Sequence, residues 1–427
     1  MSLSVLLWLL LFATFTVLAL TSRPSWGISL YMLTYFAAPS IWWWGAAAGI
    51  GEIRWNLIAA GVLLAAVCLR RPQVPAVADP LEPLIKLIAV LILANAALVH
   101  TFLAPNWDIS APVLVLVAKY TVLFFCVLAA IRDRRDLELV LFTLLIGMGY
   151  LGYEATINLR GEMEAGRLDG FGTPSASSAN YLANLVVTFL PALGGLLLAG
   201  PARQKLAAFL VLPFILNLIL LCNSRGAFLA LIAAAVVLLL ISRGPARRRA
   251  AAGLALAGIG TMFLLGDERI VERFLSTFAS EEERDASASS RLLYWRLGLR
   301  VAAAHPFGAG GKGYQGMYGP RELARLGHIH EERSVHNGYI NEACEWGFQG
   351  LLLKASFILC GCWAVWRTVR RLTVLGDAES AFLGCCLISG LAAFLLSCLF
   401  GDFLDSEWAY WWVAIGLGYV RICHLSQ

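Results

Sequence analysis

The chain has 427 residues, of which 59% are hydrophobic and 14% are charged, and its formal net charge at pH 7 is +5. Soluble domains contain about 45–50% apolar and about 25% charged residues, so this composition excludes an ordinary soluble domain. The basic residues form no long run of the kind that binds nucleic acid. Because the mean hydropathy is +0.73, we expect most of the chain to lie in a lipid bilayer.

Thirteen apolar segments approach the length of about 20 residues that a helix needs to cross a bilayer. They are 3–20, 27–48, 55–69, 84–104, 112–130, 137–157, 180–200, 205–221, 225–242, 249–266, 337–366, 380–400 and 407–422. Segment 55–69 is short and Pro39 interrupts 27–48, so twelve helices fit as well as thirteen. A backbone in lipid must satisfy its own hydrogen bonds, so the sequence predicts an all-α polytopic membrane protein. The first segment lacks a basic flank, and we expect it to stay as a helix rather than act as a signal peptide.

The orientation of these helices follows from the short basic loops, which mark the cytoplasmic side of a membrane protein. Such loops come after every second segment, at 70–71, 132–135, 203–205, 243–249 and 367–371. The opposite, outer side then receives the polar segment 267–336, which holds ten basic and ten acidic residues. We therefore expect three parts: membrane helices in 1–266, one large outer loop in 267–336, and membrane helices in 337–427.

The outer loop contains a predicted amphipathic helix followed by a glycine-rich turn. The helix, at 289–306, has Ser289 or Ser290 as its cap and Pro306 as its stop. Its apolar side suits the bilayer interface. The turn at 306–314 lacks the strand and the Lys-Ser/Thr ending of a phosphate-binding loop, so we do not expect a nucleotide site.

Two arginines occupy unusual positions at predicted helix starts. Asn223 or Ser224 can cap the helix 225–242, which places Arg225 in its first turn, and Arg291 lies in the first turn of the outer helix. Arginine at this end opposes the positive pole of the helix dipole. A guanidinium beside helix amides makes a strong site for an anion such as a phosphate, although contact with lipid headgroups is the simpler alternative.

His336 stands at the start of the predicted helix 337–366, on the same outer side. The helix dipole and partial burial both favour a neutral imidazole, which can accept a proton. A structural histidine that hydrogen-bonds at the helix start is the alternative. Together with the two arginines, His336 predicts an outward-facing anion pocket with a base beside it.

No metal and no other cofactor is expected. The ten cysteines are scattered, nearly all inside apolar segments, and lack the paired spacing of a zinc site. His328, His330 and Glu331 precede His336, but the string HIHEERSVH does not match the HExxH pattern. A metal at these residues is the disfavoured alternative.

Three blocks of the sequence resemble the bacterial O-antigen ligase family, which includes O-antigen polymerases and protein O-oligosaccharyltransferases. The block HNGYINEACEWGFQG resembles the family signature H-N-x(7)-E-x-G-x-x-G and places its positions on His336, Asn337, Glu345, Gly347 and Gly350. The stretch SRLLYWRLGLRVAAAHPFGAGGKGY resembles a second block, whose positions are Arg291, Trp295, Pro306, Gly308 and Gly310.

The third block, NSRGAFLAL, carries Arg225, and GFGTPSASSANYLA at 170–183 resembles an upstream loop of the family. In that loop Ser175 stands where the family usually has asparagine. The blocks occur in the family's order, and the resemblance covers about 165–400.

The resemblance implies a GT-C-like fold in the bacterial inner membrane with an active site that faces the periplasm. It implies a metal-independent, inverting glycosyltransferase whose donor is a glycan on undecaprenyl pyrophosphate. His336 would be the general base, and Arg225, Arg291 and Asn337 would bind the donor pyrophosphate. Candidates for contact with the acceptor or with headgroups are Arg296, Arg300, Trp295 and Tyr339. Structural roles are expected for Glu345, Gly347, Gly350, Gly308 and Gly310.

The family members differ in acceptor. A ligase uses lipid A–core, a polymerase uses another lipid-linked repeat unit, and an oligosaccharyltransferase uses a protein Ser or Thr. The length and the single compact outer loop favour the ligase. We expect the protein to act as a monomer. A lipid-linked glycan transporter without catalysis is the alternative from another class.

Overall fold

The computed structural model describes residues 2–70, 79–164, 166–264, 286–327 and 332–425. Within these ranges the chain is almost entirely helical. The helices are α1 (Leu3–Thr21), α2 (Ser25–Phe36), α3 (Trp43–Ala47), α4 (Trp55–Leu69), α5 (Leu81–Phe102), α6 (Trp107–Ala130), α7 (Arg134–Thr156), α8 (Ala179–Ala199), α9 (Ala202–Cys222), α10 (Arg225–Ile241), α11 (Pro245–Leu264), α12 (Ala286–Ala304), α13 (Gly319–Ala324), α14 (Gly338–Leu375), α15 (Ala378–Ser397) and α16 (Glu407–Leu425).

A short antiparallel hairpin interrupts this helical pattern between α7 and α8. Its strands are β1 (Glu162–Glu164) and β2 (Arg167–Asp169), with Met163 paired to Leu168. A single π-helical turn at Gly313–Tyr318 precedes α13.

The prediction of an all-α polytopic membrane protein is confirmed. In the described part of the chain, eight helices are long and apolar enough to cross a membrane, namely α1, α5, α6, α7, α8, α9, α14 and α15. Helices α4 and α10 are apolar but shorter. Twelve of the thirteen apolar segments each overlap one helix.

The exception is the segment 27–48, which is two helices and not one. Helix α2 ends at Phe36, and the short α3 begins only at Trp43. Pro39 is the reason, since a proline has no N–H for a helical hydrogen bond and disfavours helical geometry in the residue before it.

Helix α12 begins earlier than the sequence indicated. Ala286, the first residue that the structure describes in this part of the chain, is already helical, so Ser289 and Ser290 lie inside the helix and do not cap it. Arg291 is therefore in its second turn and not its first. The serines alternate with alanines, which have the highest helix propensity, and this favours extension of the helix over a start at the serines.

The long helix α14 is broken at Gly347, whose backbone angles are φ +77° and ψ 173°. The glycine-rich turn supplies the hydrogen bonds that the break removes. Phe348 N–H donates to the Pro306 carbonyl (3.0 Å), while Gly310 N–H donates to the Glu345 carbonyl (2.9 Å). Buried backbone groups need such partners, so the turn and the break stabilise each other.

The loop between α15 and α16 joins the starts of two helices. Gly338 N–H, at the start of α14, donates to the Cys398 carbonyl (2.8 Å). At the start of α10, a Cβ on Gly226 would lie 3.1 Å from Phe400 Cβ. The α15–α16 loop therefore brings together chain segments that are more than 100 residues apart in sequence.

Candidate functional site

His336 occupies a tight turn immediately before α14. Its φ is +55°, a left-handed conformation that non-glycine residues rarely adopt. The carboxylate of Asp402, in the α15–α16 loop, accepts a hydrogen bond from the backbone N–H of Asn337 (3.0 Å). Trp295 Nε1–H on α12 donates to the His336 carbonyl (3.4 Å). Three parts of the chain thus hold this turn.

The imidazole of His336 is half-buried, and its Nδ1 lies 3.1 Å from Ser334 Oγ. Burial raises the pKa of the nearby Asp402 carboxyl, while Ser334 acts to lower it. The ring centroid of Tyr294 lies 6.1 Å from that of the imidazole. One ring nitrogen is therefore engaged by a specific hydroxyl.

The surroundings of His336 favour its neutral form. Burial lowers the pKa of His336 to about 4, and the positive charges of Arg291 and Arg333 act in the same direction. Both causes penalise the imidazolium. At neutral pH the side chain is thus uncharged, and its role as a proton acceptor stays a prediction.

Arg225, Arg291 and His336 form one group in space, which we call the Arg–His cluster. Burial lowers the pKa of Arg291, and the positive charge of Arg225 lowers it further. Arg291 in turn lowers the pKa of His336. Residues from α10, α12 and the α14 start therefore lie within electrostatic range of their neighbours in this cluster. Two guanidinium groups that act on each other favour the binding of an anion between them.

The start of α10 differs from its expected form. Ser224 is the N-cap residue, but its side chain makes no cap hydrogen bond. Asn223 has a left-handed backbone (φ +42°), and its Nδ2 donates to the Gly166 carbonyl (3.1 Å) beside the hairpin. The prediction that either side chain caps this helix is therefore wrong, because the turn directs Asn223 away from it.

Asn337 caps α14. Its Oδ1 accepts hydrogen bonds from the N–H groups of Tyr339 (3.1 Å) and Ile340 (3.2 Å), and only 5% of the residue is exposed. Tyr339 donates its hydroxyl to the Leu395 carbonyl (2.7 Å). These contacts give both residues a part in the fold, while their contact with donor or acceptor stays a prediction.

The outer face of α12 carries the two remaining arginines. Arg296 and Arg300 are both exposed, whereas Trp295 is half-buried against the His336 turn. Arg296 and Arg300 therefore remain candidates for contact with an acceptor or with headgroups, apart from the Arg–His cluster.

Glu345 and the motif glycines lie at the break in α14. The buried Glu345 side chain accepts a hydrogen bond from Lys312 N–H (2.9 Å). Gly308 has φ +96°, and a Cβ there would lie 2.6 Å from the Glu345 carbonyl oxygen. At Gly347 the nearest such contact is 2.5 Å. Any side chain at these two glycines would displace backbone. Gly310 and Gly350 are also closely packed.

A polar cavity of about 300 Å³ lies behind the His336 turn, between α6, α14 and the α15–α16 loop. Its lining includes Ser334, Asn341, Lys354, Asp402 and Asp405. Burial raises the pKa of Asp405 to about 8, and the charge of Asp402 contributes. Ionisable groups inside a membrane bundle are costly, so this cluster marks a functional region.

Sequence reasoning missed Ser334, Asp402 and Asp405. The two aspartates had a signal, since FGDFLDSEW places three acidic residues between apolar helices. Ser334 had no such signal, because only the fold determines which groups it contacts.

Among the described residues, no group of His, Cys, Asp and Glu suits a metal ion. The alternative metal ligands His328, His330 and Glu331 lie outside the described residues.

The fold and this site define a multi-pass α-helical membrane protein with an arginine–histidine site at one set of helix ends. Residues 208–355 match the family model described as O-antigen ligase, and this match supports the resemblance seen in the sequence. The matched segment contains Arg225, Arg291 and His336. A comparison with curated proteins finds no match. The match supports a membrane glycosyltransferase of the O-antigen ligase or polymerase type.

Proposed function

We propose that this protein transfers an O-antigen glycan from undecaprenyl pyrophosphate to lipid A–core. The observation that carries the proposal is the Arg–His cluster, in which the charge of Arg225 acts on Arg291 and the charge of Arg291 acts on a neutral His336. A lipid-linked pyrophosphate is an anion that stays at the bilayer interface, and the cluster lies at the ends of membrane helices. No metal or cofactor takes part in the proposed reaction.

The arginines bind the donor and stabilise the leaving group. Arg225 and Arg291 come from different helices, so they can approach a pyrophosphate from two sides with bidentate hydrogen bonds. When the sugar–oxygen bond breaks, negative charge grows on the pyrophosphate. Fixed positive charges stabilise that charge without reorganisation, which lowers the barrier to transfer.

His336 accepts the proton of the acceptor. The acceptor hydroxyl forms a bond to the anomeric carbon while the bond from that carbon to the pyrophosphate oxygen breaks, and the hydroxyl proton passes to the imidazole. A bound pyrophosphate offsets the charges of Arg291 and Arg333, so it raises the pKa of His336 above its value in the free protein. A single displacement of this kind inverts the anomeric configuration.

The proposed orientation places the cluster on the periplasmic side of the inner membrane. The basic loops at 243–249 and 367–371 would then be cytoplasmic, and 267–336 periplasmic. On a cysteine-free background, an impermeant thiol reagent added outside the inner membrane should label Arg325→Cys but not Arg247→Cys. The reverse pattern would place the site in the cytoplasm and would contradict the proposal.

Reconstitution tests the reaction itself. Purified protein in proteoliposomes receives a lipid-pyrophosphate glycan and one of three acceptors: lipid A–core, a second lipid-linked repeat unit, or a Ser/Thr peptide. We expect a gel shift of lipid A–core that His336→Gln abolishes and that EDTA leaves unchanged. Transfer only to the second acceptor would identify a polymerase, and transfer only to the third an oligosaccharyltransferase.

The transporter alternative makes a different prediction in the same proteoliposomes. A transporter would move the lipid-linked glycan across the bilayer without forming product, and His336→Gln would leave that movement intact. Movement of the glycan without product for any of the three acceptors would favour this alternative over a glycosyltransferase.

A further inference from the structure

We propose that the polar cavity behind the His336 turn binds one uncharged sugar ring of the glycan substrates, apart from the site of the pyrophosphate. The inference deepens the proposed function and rests on it for the statement that the substrates carry glycans. The Arg–His cluster then holds the charged part of the donor, and the cavity holds a neutral part of the donor or of the acceptor.

The size of the cavity limits what it can hold. Its volume of about 300 Å³ lies at the lower end of the range of roughly 300–1,000 Å³ for small-molecule sites. That is room for one sugar ring and not for a whole oligosaccharide. The rest of a bound glycan must therefore lie outside the cavity.

The polar groups of the lining suit the hydroxyl groups of a sugar. Gln315 and Asn341 contribute side-chain amides, Ser334 contributes a hydroxyl, and Asp402 and Asp405 contribute carboxyls. Amides and hydroxyls both donate and accept hydrogen bonds, while a carboxyl accepts them and, when protonated, also donates one. Each hydroxyl of a sugar likewise donates and accepts, so the lining can pair with several of them at once.

The charges of the lining do not suit a pyrophosphate. The buried Lys354 forms an ion pair with Glu342 (3.5 Å), and its Nζ donates to the Leu404 carbonyl (3.3 Å). Lys312, the other basic residue of the lining, is exposed in the glycine-rich turn. Among the described residues that line the cavity, none is an arginine. The cavity therefore offers no guanidinium for bidentate phosphate binding, in contrast to the Arg–His cluster.

Aromatic side chains form the apolar part of the lining, namely Tyr120, Tyr181 and Trp346. The Tyr181 hydroxyl donates to the Asp402 carbonyl (3.3 Å), and its ring packs edge-on against Phe403, with 4.9 Å between the ring centroids. This wall is thus held in place before any ligand arrives. A sugar ring has apolar C–H faces, and small-molecule sites combine aromatic walls with a few fixed polar groups.

The position of the cavity relates it to the reaction. Ser334 lines the cavity, and its Oγ lies 3.1 Å from His336 Nδ1. Asp402 lines it as well and accepts the backbone N–H of Asn337 (3.0 Å). A single side chain thus lies between the cavity and the imidazole. A sugar held there is at or next to the reacting centre, so its binding orients the substrate for transfer.

The experiment measures equilibrium binding of one ligand at a time to the full-length protein in lipid, so no transfer occurs. The ligands are the lipid-pyrophosphate glycan, undecaprenyl pyrophosphate without a glycan, and lipid A–core. Gln315→Leu and Asp405→Asn should each weaken binding of one glycan ligand by roughly tenfold, as expected for one lost hydrogen bond. Binding of the glycan-free carrier should stay unchanged. Gln204→Leu, the same change at a half-buried glutamine near the start of α9, is the matched control.

The ligand that is affected identifies the source of the sugar. Weaker binding of the lipid-pyrophosphate glycan alone assigns the cavity to the donor, and weaker binding of lipid A–core alone assigns it to the acceptor. Equal weakening of the glycan-free carrier would overturn the inference, because the cavity would then hold the pyrophosphate. Unchanged binding of all three ligands in both folded variants would overturn it as well.

Protection from labelling supplies a second readout that keeps the lining almost intact. On a cysteine-free background, Gln315→Cys should react with a thiol reagent more slowly when the glycan ligand is bound, but not when the glycan-free carrier is bound. A reaction that neither glycan ligand slows would contradict the inference. If both readouts come out as expected but no acceptor is glycosylated, the proposed function fails and the sugar site stands.

Discussion

The starts of α14 and α10 face the same cluster but are built differently. At α14 the first amides have protein partners: Asn337 Oδ1 accepts two of them, and the Cys398 carbonyl accepts Gly338 N–H. At α10 the cap residue, Ser224, makes no side-chain cap bond. The start of α14 therefore has a side-chain cap, which we call a closed start, whereas the start of α10 has no side-chain cap from Ser224.

In the proposed function, the two helix starts have two different tasks. A general base must be held in one orientation, and the closed start of α14 fixes the His336 turn through bonds from three parts of the chain. An anion site must present positive charge, and the start of α10 adds the positive end of its helix dipole to the charge of Arg225, with no side-chain cap from Ser224. The same element therefore serves rigidity in one place and charge in the other.

The largest effect is expected from removing the base at the closed start. His336→Gln keeps hydrogen bonding but cannot take the proton, so turnover should fall by about 10²–10⁴-fold. Donor binding should persist, because the arginines are unchanged. Initial rates in proteoliposomes measure the effect, with His100→Gln on α5 as the control. A wild-type rate in His336→Gln would remove the base assignment.

Substitution of the two arginines should give the next largest loss of turnover. Arg225→Ala and Arg291→Ala should each lower turnover by roughly 10²–10³-fold, since each removes charge that stabilises the leaving pyrophosphate. Lysine should rescue poorly because it loses the bidentate geometry. Arg243→Ala, at the opposite end of α10, is the matched control. Normal rates in an alanine variant would assign that arginine to headgroup contact.

The pH dependence of the reaction links His336 to the arginines of the Arg–His cluster. The pKa of His336 is lowered to about 4 in the free protein, so kcat/KM should fall only as the pH drops towards that value. The acid limb of kcat should lie at higher pH, because bound pyrophosphate favours the imidazolium. Arg291→Ala removes a positive charge and should move the kcat/KM limb upward. The three pH profiles to compare are kcat/KM and kcat of the wild type and kcat/KM of Arg291→Ala. Acid limbs at the same pH in all three would contradict this electrostatic coupling.

The smallest effect is expected on stability. Asn337→Ala removes the cap of α14 and should lower the free energy of unfolding by about 1 kcal/mol, whereas Ser224→Ala should change it little. Thermal unfolding in detergent measures both. Asn337→Ser keeps a capping oxygen and should restore stability. If that variant is stable but binds donor poorly, the amide of Asn337 also contacts the pyrophosphate.

Local chemistry determined much of this protein from sequence alone. Apolar segments of sufficient length must form helices in lipid, so the all-α class followed from composition, and the residue types of Arg225, Arg291 and His336 indicated an anion and a base. Proline and alanine effects then set details that a hydropathy pattern does not contain, which is why 27–48 is two helices and α12 is already helical at Ala286.

Only the tertiary structure decided which groups surround the histidine. Asp402 and Asn337 are 65 residues apart, and the hydrogen bond between them depends on how the α15–α16 loop packs against the α14 start. The break at Gly347 likewise depends on a turn about 40 residues earlier in the chain. Helix formation depends on near neighbours in sequence, whereas a hydrogen bond between distant segments exists only once the bundle has packed.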